Sequence, residues 1–101
     1  MKKLLLAAAL FILPSPAYAN IAPLCPSIAE LAGTIMKVRQ AGVSKEAMLA
    51  TVQPSPVAKL TITLVNQAYL TPIYFSESLK IRTIASFKNE AEYICYKVAA
   101  E

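Results

Sequence analysis

Lys59-Leu60-Thr61-Ile62-Thr63-Leu64-Val65 can be read as a strand or as a helix, and the choice sets the class of the whole domain. Leu60, Ile62 and Leu64 alternate with Thr61 and Thr63, the period-two pattern of a half-buried strand. Val57, Leu60, Leu64 and Ala68, with Val65 beside them, equally make one face of a helix. Pairing separates the two. A strand needs a neighbour for its N–H and C=O groups, and no second alternating run occurs between Asn20 and Glu101. The helix is therefore expected despite its β-branched residues, and with it an all-α domain.

The flanks of this segment supply its punctuation. Pro54-Ser55-Pro56 breaks the chain, because residues next to proline are pushed out of the α region. Ser55 suits an N-cap with Pro56 at the first helical position, which predicts a helix over 56–71 that ends before Pro72. Upstream, Ser44 is a good N-cap, and Val43 with Met48 fits a hydrophobic staple, predicting a short helix over 44–52. Further back, Ser27-Ile28-Ala29-Glu30 fits a capping box. Ile28, Leu31, Ala32, Ile35 and Val38 or Arg39 follow at helical spacing, Met36 widens the stripe, and Gly42 can take the left-handed stop. That predicts a helix over 27–41. Downstream, Ile73-Tyr74-Phe75 forms an apolar connector, and Ser76 with Glu77 opens a last helix over 76–99. Leu79, Ile84, Phe87, Ala91, Ile94, Cys95 and Val98 share one broad face of it. The expectation is a small bundle of about four helices.

Two cysteines bracket this domain. An even pair in a small exported chain is most simply one disulfide, and there is no C-x-x-C and no His to activate a thiolate. A Cys25–Cys95 bridge would set the start of the first helix beside the end of the last. In the chain-entropy account a loop of this length stabilises the fold by about 4 kcal/mol.

Export is expected from residues 1–19. Lys2 and Lys3 form a positive start, Leu4 to Leu13 an apolar run, and Ala17-Tyr18-Ala19 a small-residue cleavage site. The apolar run is about half of what spans a bilayer. Cleavage after Ala19 leaves residues 20–101 as one domain, placed in the periplasm of a Gram-negative type of cell. Ala22-Pro23-Leu24 before Cys25 does not fit a lipobox, and no second stretch approaches membrane length. Two of the ten Lys and Arg belong to this leader, so residues 20–101 carry eight bases against six Glu, a net of +2. That is an ordinary surface with no nucleic-acid footprint.

The residue inventory bears on chemistry as well. The chain has no His, no Asp and no Trp, and only two Cys. A His-based triad, an aspartic dyad and a Cys₄ or imidazole metal site cannot be assembled from it. Glu90 and Glu92 are two apart on a helix and diverge, and Glu30 is assigned to its cap, so no pair of carboxylates stands out for glycosidase-type work. Neither an enzyme nor a cofactor is expected. Binding is the remaining class, and two groups of residues are candidates. Tyr69, Tyr74 and Phe75 gather around Pro72, as large rings on a stiff turn would in a protein-binding hot spot. Lys37, Arg39 and Gln40 close the first helix as a second recognition patch, or as a solvated helix end. Lys88 and Glu92 suit a local ion pair on an exposed face.

The ordered set Cys25-Pro26-Ser27-Ile28-Ala29, Ile35-Met36-Lys37-Val38-Arg39-Gln40-Ala41-Gly42, Ala68-Tyr69 and Lys88-Asn89-Glu90-Ala91-Glu92-Tyr93-Ile94-Cys95-Tyr96-Lys97 resembles small secreted proteins of tailed-phage and prophage genomes. The resemblance spans nearly all of residues 20–101. It implies a helical, disulfide-closed exported protein of phage origin and brings no catalytic residues. The expected role is a periplasmic binding or inhibitory module whose partner is another envelope protein. A structural or assembly factor of the envelope is the alternative.

Overall fold

The computed structural model describes residues 22–100, all of whose regular elements are helical. The leader expectation, residues 1–19, lies outside the described residues. A 3₁₀ turn, Ala22–Leu24, runs directly into α1, Cys25–Gln40; α2 is Lys45–Leu49, α3 Ala58–Ala68 and α4 Glu77–Ala99.

α1 is the central element, with α4 antiparallel along it and α3 on another side, while α2 sits against α1 and α3. Cys25, Ile28, Ala32, Ile35 and Met36 of α1 meet Leu64, Val65 and Ala68 of α3 and Ala91 and Cys95 of α4 in one buried cluster. Side chains the size of Ile35, Met36 and Val65 each contribute roughly 1.5–3 kcal/mol when fully buried. The Cys25–Cys95 disulfide closes one end, its cysteines seventy residues apart in sequence.

The ambiguous segment is helical throughout. Its threonines are accommodated by bonding back to the preceding turn: Thr61 Oγ1 donates to Val57 O at 2.9 Å and Thr63 Oγ1 to Lys59 O at 3.0 Å. Leu64, Val65 and Ala68 are buried, whereas Ile62, which a strand would turn inward with Leu60 and Leu64, is 40% exposed.

Helix ends depart from the sequence expectations where local turns and cross-helix contacts intervene. α1 starts at Cys25, two residues before Ser27, and no side chain caps it. The 3₁₀ turn already delivers the chain in helical geometry, and Pro26 is tolerated within the first two positions. The capping box is accordingly absent. Glu30 instead meets Lys88 of α4, Nζ to Oε2 2.7 Å, so Lys88 pairs across the helices rather than with Glu92. Being largely exposed, that pair is worth about 0–1 kcal/mol. α2 stops at Leu49, short of Val52, because Thr51 and Val52 turn their N–H groups to Met48 O and Leu49 O in tight three-residue bonds. Ser55 does accept the Val57 N–H at 3.2 Å, but the turn it opens is tight, with Ala58 N–H on Ser55 O. α3 therefore begins at Ala58 instead of Pro56, and similar turns at Leu70 and Thr71 end it at Ala68 instead of Thr71. Ser44 and Ser76 cap as expected, accepting from Ala47 and Leu79 N–H.

The broad apolar face expected on α4 is only partly covered. Ala91 and Cys95 are buried, Ile84, Phe87 and Val98 are half-buried, and Leu79 and Ile94 are exposed. α4 is longer than α1, and α3 does not close against it. An apolar groove of about 280 Å³ remains between α3 and α4, bounded by Leu60, Leu64, Phe87, Ala91 and Ile94.

Candidate functional site

The last turn of α1 and the segment between α3 and α4 form one assembly. Gly42 adopts φ +91°, and Gly42 N–H to Arg39 O with Val43 N–H to Val38 O complete a Schellman stop. This turn sends the chain away from the helix axis and leaves Arg39 and Gln40 facing the α3–α4 connector.

Gln40 is the centre of the assembly. Its side-chain Nε2 donates to Pro72 O at 2.8 Å, and its Oε1 accepts the Tyr74 N–H at 2.9 Å. Nε2 also lies 3.7 Å from Met36 Sδ. One residue back, Arg39 Nε donates to Thr71 O at 2.9 Å, and its guanidinium stands over the Tyr69 ring, 5.0 Å from the centroid. Tyr69 OH in turn donates to Val43 O at 2.7 Å, tying the end of α3 to the α1–α2 turn. From α4, Lys80 Nζ donates to Gln40 O at 2.9 Å, satisfying a carbonyl that α1 leaves open at its C-terminus.

The two candidate groups thus become one site with divided roles. Gln40 is 4% exposed, so neither a surface recognition residue nor a solvated helix end describes it. Arg39, Gln40 and Tyr69 hold the connector. Tyr74 is half-buried and offers its N–H to Gln40. Phe75 is the presented residue, at 100% exposure. Lys37 is exposed and lines an open cleft of about 400 Å³ beside the connector, with Glu77, Lys80, Ile81 and Ile84.

Sequence reasoning placed Ile73 in the apolar connector without assigning it to the binding group, and singled out neither Leu70 nor Lys80. Leu70 is 77% exposed and Ile73 41%, extending the apolar surface of Phe75, and Lys80 serves as a clamp. Leu70 could have been found from the end of the helical face at Ala68. Lys80 carries no such signal, because its partner is a backbone carbonyl forty residues away. Among the described residues, no three metal-ligating side chains lie together. What the arrangement offers chemically is a fixed segment of backbone with exposed apolar side chains.

No protein-family model, curated protein or solved structure matches the chain.

Proposed function

We propose that this is an exported, non-enzymatic protein of the bacterial envelope that binds another envelope protein through the connector between α3 and α4. The observation that carries the proposal is the full exposure of Phe75 on a connector whose backbone is pinned by Arg39 and Gln40. A large apolar ring in water has no folding role to explain it, and a pinned segment loses little ordering entropy on docking. The leader pattern and the buried disulfide, which forms and persists in an oxidising compartment, support export to the periplasm. Among the described residues no helix is long and apolar enough to cross a membrane. The resemblance to small secreted phage proteins extends the proposal to a phage-encoded inhibitory module, acting in lysis control, exclusion of a second phage or inhibition of a host envelope protein.

Two measurements test this reading. Protein recovered by osmotic shock should begin at Asn20, and an intact Met1 in the cytosol would end the export proposal. Capture from periplasmic extract should retain a partner that Thr34→Ala, a control at an exposed position of α1, keeps and that Phe75→Ala binds about tenfold more weakly, about 1.4 kcal/mol. Equal retention by Phe75→Ala would move the interface elsewhere.

A further inference from the structure

We infer that the partner docks as an extended strand, pairing its backbone with the open edge of Ile73. This rests on the reading of the connector as the docking site and names the chemistry of what it accepts. The Gln40 amide engages Pro72 C=O and Tyr74 N–H, the groups on either side of Ile73. In extended chain these two groups share one edge, and the N–H and C=O of the residue between them share the other. Gln40 therefore occupies the position of a neighbouring strand, and Ile73 turns its own N–H and C=O to the opposite edge. Because Gln40 is buried beneath the connector, that edge faces outward.

Among the described residues, neither the N–H nor the C=O of Ile73 or Phe75 makes a hydrogen bond. Over three residues the side chains agree with this geometry: Ile73 and Phe75 are exposed and Tyr74 between them is half-buried, while Pro72 before them is exposed. The connector has no regular secondary structure, and at Ile73 it thus offers one side bonded by Gln40 and the other open. Open N–H and C=O groups in register are a template for strand addition. A helical partner has spent its own backbone groups and could use only the side chains. A second copy would bring Lys37, Arg39 and Lys80 against their equals, with Glu77 in the cleft beside Lys37 and Lys80. The fit is to a segment with alternating apolar residues and acidic ends.

Amide hydrogen exchange on the purified protein tests this directly. The probe is an acetylated peptide about seven residues long, Val alternating with Thr and a Glu at each end. Without it, the Tyr74 amide should be protected by Gln40 and the Ile73 amide should exchange freely. At millimolar peptide the Ile73 amide should slow by roughly tenfold or more with Tyr74 little changed, and N-methylation of the peptide's Val amides should abolish the effect. An unchanged Ile73 amide overturns strand pairing, as does equal slowing by the N-methylated peptide or by a helical peptide with the same ends. Slowing that grows with protein concentration alone makes a second copy the occupant and also overturns it. If strand pairing fails in any of these ways while Phe75→Ala still loses the captured partner, the docking site stands and only its mode is wrong.

Discussion

The two ends of the α1–α4 pair are closed by different physics. At one end Cys25 and Cys95 are both buried and joined covalently, within an apolar cluster. At the other, Gln40, Arg39 and Lys80 hold backbone carbonyls and one N–H through four hydrogen bonds of 2.8–2.9 Å. The covalent end resists separation chiefly because the unfolded chain is restricted, and the Leu24, Tyr93 and Tyr96 side chains near it are exposed with no pinned backbone beneath them. The polar end has a defined shape and presents what lies above it. A glutamine amide matches peptide groups in both donor and acceptor, so it can fix a loop without covering the loop's outer side. The covalent closure and the pinned connector thus lie at opposite ends.

The largest expected effect is at the covalent end. Cys25→Ala with Cys95→Ala should cost about 2–5 kcal/mol, lowering the thermal midpoint by roughly 10 °C or more in calorimetry. A smaller fall would mean that packing around Ala32, Ile35 and Val65 already holds that end. Gln40→Ala comes next. It leaves Pro72 C=O and Tyr74 N–H without partners in a half-buried setting, a cost of about 1–3 kcal/mol by denaturant titration, with faster exchange of the Tyr74 amide. If Gln40→Ala equalled the cysteine double variant, the division between a strong covalent end and a shaping polar end would fall. Tyr69→Phe keeps the ring beneath Arg39 and removes the bond to Val43 O, so a loss of about 0.5–1 kcal/mol is expected. Smallest of all, Phe75→Ala should leave stability within about 0.5 kcal/mol while weakening capture of the partner, since its side chain touches solvent alone. Unfolding comparable to Gln40→Ala would show that Phe75 supports the fold after all.

Much of the covalent end and the helical framework was legible in advance. The threonines of α3 did not mislead, because a strand without a partner is ruled out at the level of the whole chain. Ser44 and Ser76 were read correctly because a cap is a local bond, to an N–H three residues on. Ser27 and Glu30 had the right spacing for a cap, but a preceding 3₁₀ turn had already begun the helix and Lys88 competed for the carboxylate. Ile94 and Leu79 matched the apolar face of α4 and are nevertheless exposed, because periodicity says which residues share a side and not whether another helix arrives to cover it.

By itself, then, the sequence determined the helical class, two of the four helix starts, the disulfide and the residues gathered around Pro72. All of these follow from short-range sterics, from local capping bonds or from counting partners. Only the tertiary structure decided that Gln40 is buried, that Arg39 and Lys80 are clamps and that Phe75, not Tyr69, is presented. Those roles depend on contacts between residues 32 to 40 positions apart. An amide or a guanidinium at a helix end looks the same in sequence whether water or a distant carbonyl becomes its partner.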